Sequence, residues 1–245
     1  MQAYTLTTPM FKAIFFDAAG TLFETTRPVA EIYDSVARQY GVNIPIPELA
    51  GRFRSCFSSA PPLAFPNASA QELPRLERQW WRELVGEIFA PYPGFARFDD
   101  YFSALFEHFS KPKTWTLYPE TKQVLRELRQ SGLTLAVITN FDSRVLGILE
   151  GLGVSSCFDS VFLSSKVGYA KPAREIFQSA LRYHSLRPEE AMHVGDSPVH
   201  DVAGAAAAGL TAVLIDRDDR YPHSSRLRVR NLNEICSLQS DIGRP

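Results

Sequence analysis

From Lys111 onward the chain alternates short apolar runs with amphipathic stretches, and one further run of the same strand type, MFKAIFF at Met10–Phe16, stands far upstream of the others. PETKQVLRELRQSG reads as a helix with Pro119 near its start and Gly132 at its end. After it come the strand LTLAVIT, the helix SRVLGILEGLG, the strand DSVFLS and the helix PAREIFQSALRYH. The strand AMHVG, the helix PVHDVAGAAAAG and the strand TAVLI complete the series. Strands that alternate with helices of this length call for a parallel sheet joined by right-handed crossovers, since parallel neighbours cannot be linked by a tight turn. The upstream strand belongs to the same sheet, so the chain must leave the sheet after it and return.

The intervening pattern is helical. Ile32, Tyr33, Val36 and Tyr40 fall on one face, as do Phe98, Tyr101, Phe102, Leu105, Phe106 and Phe109. Between them AQELPRLERQWWRELVGEIF predicts a helix entered near Pro74, preceded by a proline-rich loop at Pro61, Pro62 and Pro66. The expected organisation is an α/β core from residues 1–22 and 111–245, interrupted by a helical cap over residues 23–110. The first ten residues read as an extension, and the arginine-bearing segment after Asp216 as a surface loop and a final helix.

Hydrophobic residues at 45% and charged residues at 22% are enough for a sizeable core and argue against disorder. A formal net charge of -1 gives no electrostatic footprint for nucleic acid or an anionic membrane surface. The longest apolar run, Val202–Ile215, is too short to span a bilayer. Lys12 is followed by no small-residue cleavage site, and Cys56, Cys157 and Cys236 lack zinc or disulfide spacing, so a reducing, cytoplasmic setting is expected.

In a doubly wound sheet, ligands bind beyond the carboxyl ends of the strands. Asp17 follows KAIFF there, Thr139 ends LAVIT, and Asp196 follows MHVG. Asp201 comes shortly after in the next helix, and Lys171 precedes Pro172 at another helix start. Singly, each has an ordinary role: an Asp after a strand closes a turn or caps a helix, and a lone lysine lies in solvent. Together on one sheet edge they point to a shared site. Three carboxylates in one crevice raise one another's pKa. A hard divalent cation relieves that repulsion, and Mg²⁺ commonly combines one or two carboxylates with substrate phosphate. Lys171 would add a point charge, and Gly20 lets the backbone turn so that amides face a phosphoryl group.

FFDAAGTLF, VITN, the lysine of AKPAREIF and GDSPVHD, in that order and strand context, resemble the four motifs of the haloacid dehalogenase (HAD) superfamily, subfamily I with a type 1 helical cap. The resemblance spans Lys12 to Ile215, and within it RQWW and ITNFDSRVLGILEGLG resemble the rhythmically-expressed-gene-2-like subgroup. It implies a hydrolase of phosphatase type, with a Rossmann-like core under a helical lid and a small phosphorylated molecule as substrate. It also implies that Asp17 is the nucleophile, and that Gly20, Thr21, Thr139, Asn140 and Lys171 hold the phosphate, with Thr139 and Lys171 also catalytic. Mg²⁺ would lie against Asp17, the backbone carbonyl at Ala19, Asp196 and Asp201, the last as a ligand or as an anchor behind the ligands.

Position 19 departs from the family's phosphatases, which resemble one another in carrying there an aspartate that protonates the leaving group and then activates water. Ala19 offers a carbonyl but no proton. General acid–base catalysis is worth roughly 10²–10⁴-fold, or about 3–5.5 kcal/mol of barrier. The phosphatase reading is therefore restricted to leaving groups that need no acid, such as acyl or aryl phosphates, unless His108, Glu24 or the substrate supplies the proton. A carbon–phosphorus or carbon–halogen hydrolase is the second reading. FDAAGT resembles the phosphonatase pattern, but residues 23–110 contain no lysine for a Schiff base, and Lys111 and Lys113 lie only at the cap boundary. Dehalogenases lack the acidic pair Asp196 and Asp201, although Arg52 and Arg54 are conceivable halide or carboxylate anchors. A non-catalytic phosphate-ligand binding or regulatory protein is the third reading. An interface made by Trp80, Trp81, Phe98, Tyr101, Phe102, Phe106 and Phe109 is the fourth, though their spacing suits the cap's own core. His193 reads as a residue that packs or satisfies a backbone group, and His200 as a solvated helix residue.

Overall fold

The computed structural model describes residues 11–92, 95–222 and 227–241; the ten-residue extension lies outside the described residues. The strands are β1 (Ala13–Phe16), β2 (Phe23–Thr25), β3 (Trp115–Leu117), β4 (Thr134–Thr139), β5 (Ser160–Leu163), β6 (Ala191–Gly195), β7 (Thr211–Ile215) and β8 (Arg228–Val229). Six of them form one sheet in the order β5–β4–β1–β6–β7–β8, every pair parallel. This is the expected α/β, Rossmann-like architecture. The helices are α1 (Val29–Ala37), α2 (Ile46–Ser59), α3 (Leu73–Phe89), α4 (Phe98–Ser110), α5 (Thr121–Gln130), α6 (Arg144–Gly151), α7 (Ser164–Val167), α8 (Arg174–Tyr183), α9 (Gly204–Ala207) and α10 (Asn233–Asp241).

β1 sits in the middle because it is apolar on both faces. Ile14 and Phe16 pack into one core layer with Leu125, Val137 and Val194, whereas Ala13 and Phe15 face the opposite layer with Ile176 and Phe177. β1 pairs with β4 on one side and β6 on the other, and the chain runs outward from β4 to β5 before returning across β1 to β6, so the crevice of the sheet opens at the carboxyl end of β1. Asp17 is the next residue.

The helices α1–α4 surround a separate apolar cluster centred on Tyr33, Leu84, Ile88, Tyr101 and Leu105. α3 places Leu73, Trp80, Leu84, Val85 and Ile88 on one face at helical spacing, with Pro74 in its first turn. Entry and exit of this helical region run through β2 and β3, which pair antiparallel as a two-stranded ribbon, with Phe23 edge-on to Trp115 at 5.3 Å. Strands of two or three residues leave no legible alternation, so neither the ribbon nor β8 is among the elements the sequence predicts.

A polar seam joins the helical region to the core. The buried Glu77 carboxylate accepts from the Ser143 amide, the Ser143 hydroxyl and the Ser165 hydroxyl at 3.1, 2.8 and 2.6 Å. Trp81 Nε1 donates to Asp142, and the Ser164 hydroxyl donates to the Leu63 carbonyl.

The stretch expected as one helix, PVHDVAGAAAAG, is instead a π-helix at Pro198–Ala203 followed by the single turn α9. The wider turn accompanies the folding-back of Asp201, whose carboxylate accepts from the Ser197 amide at 3.0 Å. π-turns of this kind often sit at functional sites.

Candidate active site

The carboxyl ends of β1, β4 and β6, with the segment before α8, deliver the polar residues to one place. Hydrogen bonding of the Asp17 amide to the Val194 carbonyl extends the sheet ladder past β1 and fixes where its side chain starts. Lys171 Nζ donates to Asp17 Oδ1 and to Asp201 Oδ1, both at 2.6 Å, and all three side chains are buried. His193 Nε2 lies 2.9 Å from the same Asp201 oxygen. Ligand-capable oxygens of Asp17, Asp196 and Asp201 fall within 4.8 Å of one another.

The lysine is itself clamped. Asn140 accepts from the Lys171 amide at 2.7 Å and donates to the Lys171 carbonyl at 2.9 Å. Two residues at the centre depend on missing Cβ atoms. Gly20 has φ +92, and a Cβ there would stand 2.5 Å from Asp196 Oδ2; at Gly195 it would stand 2.1 Å from Asp201 Cγ.

Electrostatics divide the three carboxylates. Burial raises the Asp17 carboxyl above its usual range, against the opposing pull of Lys171. Burial and the charges of Asp17 and Asp201 push Asp196 up to about 7. For Asp201 burial acts upward as well, but the Lys171 charge and the His193 hydrogen bond prevail and hold it below the carboxylate range. Lys171 is held above its usual value because the two carboxylates outweigh its desolvation. Burial depresses His193, so the neutral ring carries its proton on Nε2, toward the carboxylate. His193 packs edge-on to Phe177 at 5.0 Å, the packing role expected of it, and it also braces Asp201.

A cavity of about 710 Å³ opens above this cluster, within the usual range for small-molecule sites. Asp17, Ala19, Gly20, Thr139, Asn140, Lys171, Asp196 and Asp201 line its core end. Thr21 does not line it; its buried hydroxyl has no hydrogen-bond partner among the described residues. Of the alternative proton donors, Glu24 lines the cavity and His108 does not. Arg52 donates to the Ile88 and Glu87 carbonyls at the end of α3, and exposed Arg54 does not line the cavity, so neither meets the acidic cluster. His200 is exposed at the cavity edge.

Some lining residues escaped the sequence reading. Arg144 forms a two-point ion pair with fully buried Asp142, at 2.8 and 2.6 Å, and its guanidinium lies 4.0 Å over the Phe106 ring. Trp81, Phe106 and Phe109 reach the cavity, whereas Trp80 and Tyr101 stay in the helical core. Within ITNFDSRV the string DSR carried the signal, but a helix-start Asp with a nearby Arg is an ordinary surface pattern.

Comparison with known proteins assigns the class: residues 11–209 match the family of haloacid dehalogenase-like hydrolases. The chain belongs to that family. It is 36% identical over 206 residues to haloacid dehalogenase-like hydrolase domain-containing protein 3 of Mus musculus, covering 83% of this chain and 81% of the relative. Over 244 residues it is 32% identical to a phosphoserine phosphatase of Thermus thermophilus, covering 91% and 97%. The solved HAD phosphatase of Thermococcus onnurineus is 27% identical, with a TM-score of 0.66 and coverage of 93% and 97%. Among the described residues no helix is long and apolar enough to cross a membrane.

Proposed function

We propose that this hydrolase is a Mg²⁺-dependent phosphatase that uses Asp17 as nucleophile on small phosphorylated substrates whose leaving group departs without protonation. The observation that carries this reading is the buried ion pair of Lys171 with Asp17, set beside Asp196 at the cavity floor where Ala19 occupies the general acid's place. Its phosphatase relatives agree with phosphoryl chemistry.

Lys171 favours the ionised, nucleophilic form of Asp17 and orients it. One Asp17 oxygen bonds to phosphorus as the bond to the leaving oxygen breaks and that oxygen takes the electron pair. Water then attacks phosphorus, and the Asp17–phosphorus bond breaks to restore the carboxylate. One water proton stays on the phosphate; the other passes through solvent to the expelled oxide. Thr139, Lys171 and the backbone around Gly20 counter the charge on the equatorial oxygens.

The donor set suits a hard cation, since it is all oxygen and three carboxylates face a single ammonium. Asp17 and Asp196 with the Ala19 carbonyl would hold Mg²⁺, which would supply Lewis-acid stabilisation of the phosphoryl oxygens when bound. Asp201 already accepts from Lys171, His193 and the Ser197 amide, which suits it to anchor the lysine.

Hydrolysis of para-nitrophenyl phosphate, acetyl phosphate and a sugar phosphate by wild type and Ala19→Asp tests the reading. Wild type should cleave the two activated substrates in a Mg²⁺-dependent way, and Ala19→Asp should gain the sugar phosphate. A wild type inert toward all three, beside an active variant, would indicate a binder; an unchanged Mg²⁺ titration in Asp196→Asn would refute that ligand.

A further inference from the structure

The cavity has two unlike halves, and the cap half bears on the identity of the leaving group. Away from the acidic floor its wall is a continuous series of rings. Phe57 stacks on Phe53 at 5.5 Å, and Phe53 meets Tyr33 edge-on at 5.6 Å. Tyr33 meets Phe109 at 5.8 Å, Phe109 meets Trp115 at 6.0 Å, and Trp115 meets Phe141 at 5.6 Å. Phe141 follows Asn140 directly, so the ring wall ends beside the clamp on Lys171.

The charge of this half is equally telling. Its cation, Arg144, is neutralised by Asp142 through two hydrogen bonds and is stacked on Phe106. A carboxylate brought into this half would lose water and find no unpaired cation among the described lining residues. That loss is costly in an apolar site. A phosphorylated amino acid or hydroxy acid therefore fits poorly, whereas a flat uncharged ring gains offset or edge contacts with the wall.

Resting on the phosphatase reading, we infer that the substrate is an aryl phosphate with an uncharged aromatic leaving group, seated against the ring wall while its phosphate meets Asp17 and Lys171. The two halves of the cavity then agree. A phenolic oxygen carries the departing electron pair without a proton, as the alanine at position 19 requires, and the ring it belongs to is what the cap half is shaped to receive. In balance, the aryl ester and water give the free phenol and inorganic phosphate, with the phenoxide taking up the proton that water releases.

Steady-state kinetics with Mg²⁺ would compare 1-naphthyl phosphate with acetyl phosphate, which is activated but ringless, and with 4-carboxyphenyl phosphate, which carries an anion on its ring. Expected is a kcat/KM for 1-naphthyl phosphate at least ~10-fold above both, the scale of apolar pocket discrimination. Phe53→Ala, and independently Phe57→Ala at a ring that is 45% exposed and so tolerant of truncation, should cut that value several-fold and by more than either cuts acetyl phosphate turnover. Equal or better turnover of acetyl phosphate would overturn the inference while leaving the phosphatase reading intact. Should no ester be cleaved, the phosphatase reading fails and calorimetry decides the inference separately. There Asp17→Asn should bind 1-naphthyl phosphate at least ~10-fold tighter than inorganic phosphate, an excess lost in Asp17→Asn with Phe53→Ala; equal affinities would overturn it.

Discussion

The floor and the roof of the cavity are built on opposite principles. At the floor, each polar group is held by several others: Asp201 alone accepts from Lys171, His193 and the Ser197 amide. The roof is made of rings whose contacts are apolar and shape-dependent, with the Arg144–Asp142 pair closed on itself. The floor rests on strand ends of the sheet, and most of the roof rests on helices joined to the core by the Glu77 seam and the β2–β3 ribbon, with Trp115 on β3 and Phe141 just after β4 completing it. The contrast separates two tasks. Charge held at fixed positions lowers the barrier of a reaction, whereas apolar area chooses which molecule stays long enough to react.

The sharpest way to break the comparison is at the floor. Asp17→Asn should lower kcat by roughly 10⁴-fold or more, as loss of a nucleophile does, with circular dichroism unchanged; measurable turnover would remove Asp17 from the reaction. Ala19→Asp should raise turnover of an alkyl phosphate by roughly 10²–10⁴-fold. Rapid-quench kinetics with an aryl phosphate should also show a stoichiometric burst in wild type that the variant abolishes, because in the proposed mechanism water attack on the aspartyl-phosphate would also lack a base.

At the seam between the regions, Glu77→Ala strands the Ser143 and Ser165 donors. The variant should lose about 1–3 kcal/mol of stability by urea unfolding, and its KM should change more than its kcat if the seam serves the roof. The smallest effect lies at the far edge of the sheet. Lys12, the Arg187 amide and the Arg187 side chain hold the Glu190 carboxyl down to about 2, from 4.5. A depressed carboxyl stabilises the fold above its unfolded value, and the contribution fades as pH falls from 4.5 toward 2. The Tm difference between wild type and Glu190→Gln should therefore shrink over that window, with activity at neutral pH unaffected.

Legibility followed the same division. The polar floor could be read because each residue follows a strand-like run, and a parallel sheet brings all such ends to one edge. Asp17, Thr139 and Asp196 needed only that rule. Lys171 and Asp201 needed helix starts beside it. The roof was harder. Trp81 reaches Asp142 across 61 residues and Glu77 reaches Ser165 across 88, and nothing local to either helix marks those partners. Glu77 occupies an ordinary charged position in the sequence yet is buried in the seam. Trp80 and Trp81 are adjacent and chemically alike; only the rotation of α3 sends one into the helical core and the other to the cavity.

By itself the sequence determined the alternation of the main strands and helices after Lys111 and the polar groups that meet at the sheet edge. These follow from periodicity and from backbone rules that act over a few residues. Tertiary structure alone decided which oxygen of Asp201 serves Lys171, that Arg144 is neutralised, that His193 braces a carboxylate, and which rings form the cavity wall. Those outcomes depend on side chains far apart in the chain competing for the same space and the same protons, and that competition is settled only when the elements pack.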